Sequence, residues 1–178
     1  MKIVLDACVL YPNVMREVLL GAAKTGAFVP LWSGRILEEW ARAADKLGPA
    51  GAAQARGEIA LLRAAWPVAA LAPAPGIEAR LWLPDPADVH VLATAVSGSA
   101  DAIVTMNAKD FPRGTLAEEG VERLDPDGFL MSLWQADPDG IEAAAVSVLQ
   151  VAQQADPSWQ MRPLMKKARL PRLGKCLG

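Results

Sequence analysis

Two short apolar runs, Ile3-Val4-Leu5 and Ala102-Ile103-Val104-Thr105, each open directly into a stretch rich in side-chain oxygen. Runs this short, containing β-branched residues and bounded by turn-forming positions, read as buried strands. Helical patterns separate them. Asn13 can cap a helix through about Lys24, which Gly26 closes, and Ser33 can cap a second through about Leu47, stopped by Gly48-Pro49. A third helix is expected from about Ala50 to Ala65, where Trp66-Pro67 breaks the pattern, followed by a weak strand at Val68 to Leu71. Residues 72–86 are rich in proline and read as a loop, and the next helix runs from Pro86 to about Val96. After the strand at residues 102–105 come a polar loop through Pro112 and one more strand at Val121 to Leu124. Strands alternating with helices in this order predict an α/β fold with a mostly parallel central sheet flanked by helices.

From Asp125 onward the pattern is helical, with segments at Phe129 to Trp134, Ile141 to Gln153 and Met161 to Ala168. The expected organisation is a domain over residues 1–125 and a helical extension over 126–178. A hydrophobic fraction of 52% against 21% charged residues supports a packed core and argues against disorder. No apolar run approaches the roughly 18–20 residues of a membrane helix. The first residues, Met1-Lys2-Ile3-Val4-Leu5-Asp6, meet an acid within one strand length, so a cytoplasmic protein is expected. Cys8 and Cys176 lack metal-ligand spacing, and a single histidine, His90, leaves no set for a zinc centre.

The net charge of −2 hides an asymmetry. Residues 157–178 contain six cations and no acid, which leaves the rest of the chain at −8. One reading is a solvated terminal segment. The other is an electrostatic handle for a nucleic-acid backbone, with Lys166, Lys167, Arg169 and Arg172 displacing counterions.

Four places can present an acid or its amide at the end of an element. Asp6 follows the first strand, and ligands of open α/β sheets gather beyond the carboxyl ends of strands. A turn or capping aspartate would also explain Asp6. In the pair Glu38-Glu39, helical spacing places Ile36, Trp40, Ala43, Ala44 and Leu47 on one face, with Glu39 about 90° from its centre and Glu38 nearly opposite. Glu39 is thus the candidate ligand and Glu38 should face water. In Asp85-Pro86-Ala87-Asp88, capping accounts for Asp85, with proline in the first helical position. Asp88 remains open to another role. His90 falls opposite the apolar stripe and is expected to be a surface or hydrogen-bonding residue. The fourth place is Thr105-Met106-Asn107-Ala108-Lys109-Asp110, which emerges at the same sheet end as Asp6 if the two strands are parallel. Thr105 can orient a carboxylate by hydrogen bonding. Asp101 begins its strand and belongs to the opposite end.

Gathered carboxylates repel one another unless a cation neutralises them. Hard oxygen donors without histidine or cysteine favour Mg²⁺ or Mn²⁺, ions suited to phosphodiester hydrolysis.

At these residues the chain resembles the PIN-domain nucleases. The resemblance is carried by Ile3-Val4-Leu5-Asp6-Ala7-Cys8-Val9-Leu10-Tyr11-Pro12, by Trp32-Ser33 with Ile36-Leu37-Glu38-Glu39-Trp40, and by Asp85-Pro86-Ala87-Asp88-Val89-His90-Val91-Leu92-Ala93. It continues through Ala100-Asp101-Ala102-Ile103-Val104-Thr105-Met106-Asn107 to Asp110-Phe111-Pro112 and spans about residues 1–125. It implies a Rossmann-like PIN fold, Mg²⁺ or Mn²⁺, and cleavage of RNA. Asp6, Glu39 and Asp88 fall on the family's first three acidic positions. The fourth, usually aspartate, is Asn107, which offers a carbonyl but no charge, while Asp110 matches another acid often found there. The residues after 125 look, more loosely, like the tail of a PIN subgroup that includes toxins of type II toxin–antitoxin pairs. Such toxins are neutralised by a small antitoxin protein and often form homodimers.

The expected function is therefore a divalent-metal-dependent endoribonuclease, with Asp6, Glu39, Asp88 and Asp110 binding metal and orienting water and Asn107 assisting. A different class, an inactive PIN-like module that binds RNA or a partner protein, is favoured by Asn107. An aspartyl phosphatase would want Asp-x-Asp after the first strand, where this chain has Asp6-Ala7-Cys8.

Overall fold

The computed structural model describes residues 1–178. Its first half contains β1 (Lys2–Leu5), α1 (Ala7–Leu10), α2 (Asn13–Lys24), β2 (Val29–Ser33), α3 (Gly34–Asp45), α4 (Gly48–Ala65), β3 (Ala70–Leu71) and α5 (Pro75–Glu78). A 3-10 turn at Pro86–Asp88 then leads into α6 (Val89–Ser97), β4 (Ala102–Val104), α7 (Arg113–Glu118) and β5 (Glu122–Leu124). The last elements are α8 (Pro126–Ala136), α9 (Pro138–Ala155), α10 (Met161–Lys167) and α11 (Pro171–Leu177). Two compact units emerge, Met1–Tyr11 with Val29–Arg123, and Pro12–Phe28 with Leu124–Gly178.

In the first unit the strand order is β3-β2-β1-β4-β5, and β1 pairs in parallel with both β2 and β4. Ile3, Val4 and Leu5 are fully buried, as a central strand covered on both faces requires. Leu5 sits opposite Val104, so the residues that follow, Asp6 and Thr105, leave the sheet side by side. Ser33, the last residue of β2, accepts the Ile36 N–H and starts α3 at the same sheet end. Asp101 accepts the Lys2 N–H at the opposite, amino end.

β2 was not anticipated, because Pro30 interrupts its apolar run. Trp32 N–H bonds Ala69 on the β3 side while Val29 N–H bonds Met1 on the β1 side. Backbone groups alternate along a strand, so Pro30 faces the β3 side, where β3 reaches only Trp32 and Ser33. No ladder bond is lost.

Other expectations also need adjustment. The proline-rich stretch contains the single turn α5, the segment after Pro112 forms α7, and the basic tail contains α11. α3 buries Ile36, Leu37, Trp40, Ala41 and Ala44, while Leu47 lies beyond its end and is exposed. The apolar face is rotated from the expected stripe because α3 packs on α1, α4 and β2 together. α6 packs against β1, β2, β4 and α5 and is buried almost all round, so its polar residues are interior too. His90 is accordingly 3% exposed, so of the two expected roles the surface one fails and the hydrogen-bonding one holds.

The second unit is helical. Residues 12–28 cluster with the C-terminal helices in this unit. Gly21 permits the close approach of α2 and α9, since a Cβ there would lie 2.8 Å from the Ala144 Cβ. Asp125 and Asp137 cap α8 and α9 by accepting the Gly128 and Gly140 N–H groups, with Pro126 and Pro138 at the first turns. Phe28 meets Phe129 edge to face at 5.1 Å.

Candidate metal centre

Asp6, just past β1, is 6% exposed and held by two donors. The Thr105 hydroxyl donates to its Oδ2 at 2.7 Å and the Cys8 thiol to the same atom at 3.1 Å. Asn107 N–H in turn donates to Thr105 Oγ1 at 3.0 Å, and Met106 N–H to Cys8 Sγ at 3.3 Å. This network ties the ends of β1 and β4 together and fixes the plane of the Asp6 carboxylate without engaging Oδ1. Burial first, and then the Asp6 charge, pushes the Cys8 thiol up to about 12, so it serves as a neutral S–H donor. Cys8 had no expected role. Its position two residues after Asp6 was the only signal.

Asp85 and Asp88 flank the 3-10 turn but behave differently. Asp85 accepts the Ala87 N–H at 2.9 Å, the expected cap. Asp88 stands at the start of α6 yet makes no capping bond, which leaves its side chain free to face the loop after β4. Its one hydrogen bond there is long, 3.4 Å from Asn107 Nδ2. Asn107, whose carbonyl was the expected ligand atom, thus presents its amide N–H to Asp88.

Asp110 comes from that loop. Phe111 beside it is fully buried, and Arg123 Nη1 grips the loop through Ala108 O at 2.6 Å and Phe111 O at 3.0 Å. Arg123 was not foreseen and carries no local sequence signal, because it lies beyond α7. One carboxylate oxygen from each of Asp85, Asp88 and Asp110 lies within 4.8 Å of the others. Asp85, read from sequence as a cap alone, therefore belongs to the cluster as well.

Glu39 projects from α3 and is joined to His90 Nε2 at 2.6 Å through Oε1, with Arg35 Nε 4.0 Å from the same oxygen. Glu38 instead pairs with Arg42 and Arg56, away from the cluster. The electrostatics show how these acids converge. Asp88 is pushed up to about 6, from an ordinary 3.8, by its own burial and then by the charges of Asp6, Asp85, Asp110 and Glu39. Four carboxylates drawn from four parts of the chain thus act on Asp88.

The family profile described as a PIN domain matches residues 2–109. The chain belongs to the PIN-domain family. PIN domains are generally metal-dependent nucleases, and the matched segment contains Asp6, Glu39, Asp85, Asp88 and Asn107 and ends one residue before Asp110. No curated protein and no solved structure matches the chain. The donors present suit a divalent cation: they are carboxylate oxygens, their mutual repulsion is uncompensated at Asp88, and the one nearby imidazole is already bonded to Glu39.

The basic tail lies in the helical unit. Lys166 and Lys167 occupy the last turn of α10, and Lys167 Nζ sits 4.8 Å from the centre of the Trp159 ring. Arg169 follows with φ 61°. Arg172 is bonded to Asp127 and Asp125 rather than left free. No helix of the chain is long and apolar enough to cross a membrane.

Proposed function

We propose that this PIN-domain protein is a Mg²⁺- or Mn²⁺-dependent endoribonuclease that hydrolyses phosphodiester bonds of single-stranded or structured RNA in the cytoplasm. The observation that carries the reading is the convergence of Asp6, Glu39, Asp85 and Asp110 on Asp88. Asp85, Asp88 and Asp110 are the residues to hold the cation, with Asp6 and Glu39 completing the site and Asn107 supporting Asp88. A bound divalent ion supplies charge neutralisation at the scissile phosphate and a more acidic water. The protein's own part is orientation. Thr105 and Cys8 fix Asp6, Arg123 fixes the Asp110 loop, and Asp85 restores the negative charge that Asn107 lacks. Exposed Lys166, Lys167 and Arg169 are proposed to contact the RNA backbone, and Arg172 to order that segment.

Residues 1–125 act in this reading as the nuclease domain and 126–178 as its extension. The looser likeness of that extension supports a toxin role, with a cognate antitoxin as partner and a homodimer as the assembly. A toxin of this kind should arrest growth when expressed alone, and Asp88→Asn should relieve the arrest.

The direct test is cleavage of single-stranded RNA with Mn²⁺, with EDTA, and with Asp6→Asn and Asp88→Asn. Cleavage should require metal and fall in both variants; undiminished cleavage in both defeats the assignment. Asn107 favours one rival, an inactive module that binds RNA or a protein. RNA binding without metal-dependent cleavage is the outcome it expects.

A further inference from the structure

We propose that His90 is a positioning residue for Glu39, presenting an Nε2–H that locks the carboxylate at the metal centre, and that it takes no part in proton transfer. The proposal rests on the nuclease reading for what Glu39 does, but the bond itself stands on geometry. An imidazole two residues from a metal-site aspartate would ordinarily be considered as an acid or base. Three observations direct it elsewhere.

His90 is 3% exposed, so its ring is inside the protein and cannot meet a substrate in solvent. Its Nε2 lies 2.6 Å from Glu39 Oε1. Its Nδ1 is buried with no hydrogen-bond partner. The tautomer with its proton on Nδ1 alone would strand a buried N–H and set the Nε2 lone pair against a carboxylate oxygen. The Nε2–H tautomer makes the bond and leaves only a weak acceptor unmatched. The His90 backbone is fixed as well, because Thr94 Oγ1 donates to its carbonyl at 2.7 Å.

The bond joins α3 to α6. Asp88 immediately precedes α6 and His90 is in its first turn, so one short segment supplies an acid to the cluster and sets the place of another. His90 and Arg35 both approach Glu39 Oε1, which leaves Oε2 as the oxygen to face a cation.

His90 is the only histidine, so a protein labelled with ¹⁵N-histidine gives a single imidazole to observe. Its spectrum at neutral pH should show the Nε2–H tautomer. Mn²⁺ affinity, followed by electron paramagnetic resonance, should fall about 10–100-fold in His90→Leu and stay within about threefold in His90→Gln, whose amide N–H can replace Nε2–H. The same pattern should appear in kcat, with the KM for RNA unchanged. An Nδ1–H tautomer overturns the proposal. So does a folded His90→Leu with unaltered Mn²⁺ affinity, or a His90→Gln that binds Mn²⁺ normally but does not cleave, which would mark the imidazole as a proton carrier. If His90→Leu does not fold, His90→Gln and the nitrogen spectrum decide. Absence of Mn²⁺ binding by the unaltered protein sinks the nuclease reading instead, and the spectrum still tests the His90–Glu39 bond.

Discussion

Two segments of similar sequence, Asp85-Pro86-Ala87-Asp88 in the PIN unit and Asp125-Pro126-Asp127-Gly128 in the helical unit, begin alike and end differently. In each, the first aspartate caps a turn that proline opens. In the helical unit the other aspartate, Asp127, is 5% exposed and fully provided with partners. Arg172 N and Nε donate to its Oδ2 at 2.9 and 3.3 Å, and Leu173 N to its Oδ1 at 3.0 Å. In the PIN unit Asp88 has one weak amide contact and four carboxylate neighbours. A buried acid with enough internal donors holds two helices together. An acid surrounded by its own kind has no such countercharge within the chain.

Substitutions at the two sites should therefore have opposite effects. Asp88→Asn should lower metal-dependent RNA cleavage by at least about 100-fold, at or beyond the upper range for residues that only support metal ligands. It should also stabilise the metal-free protein. A carboxyl held at about 6 rather than 3.8 binds its proton more tightly folded than unfolded, so its contribution to stability is lost as pH rises through that interval. Discounted for the partial exposure of Asp88, the variant should gain about 1 kcal/mol at pH 7 over the native chain, and the gap should close below about pH 4. Chemical denaturation across pH reads this directly.

Arg172→Ala should instead destabilise the protein by about 1–3 kcal/mol, because it removes a charged partner from a buried acid. Results of opposite sign at the two sites would support the contrast; a stabilising Arg172→Ala would break it. Within the PIN unit, Thr105→Val should reduce cleavage about 10-fold and Cys8→Ala somewhat less, with Cys8→Ser restoring activity through a hydroxyl donor. If Cys8→Ala has no effect, the thiol does not orient Asp6. The smallest change is expected from Lys166→Ala with Lys167→Ala. RNA binding should weaken modestly, and the slope of log affinity against log salt should fall by about 1.4 for the two cations. A slope unchanged by both substitutions removes the tail from the RNA surface.

The features readable from sequence are those set by local chain geometry. Asp6 and Thr105 each follow an apolar run, and parallel pairing in register carries both to one edge. Ser33 and Asp85 act as caps because proline and small polar residues specify helix starts within a few positions. What stayed hidden depends on which neighbours an element acquires. Pro30 concealed β2 because a strand tolerates proline only where no partner strand lies opposite its missing N–H, and β3 begins only at Trp32. Periodicity placed His90 on an outer face, yet α6 has almost no outer face once α5 and the sheet enclose it. The tail looked free to meet nucleic acid, but Asp125 and Asp127 engage Arg172 from the far end of the unit. Arg123 grips the Asp110 loop across α7, a relation no spacing encodes.

Calorimetric titration of Mn²⁺ into the unaltered protein and into Asp88→Asn tests the central claim most directly. Saturable binding to the first and its loss in the second is the expected result. No binding at millimolar Mn²⁺, or equal binding to both, would contradict the account.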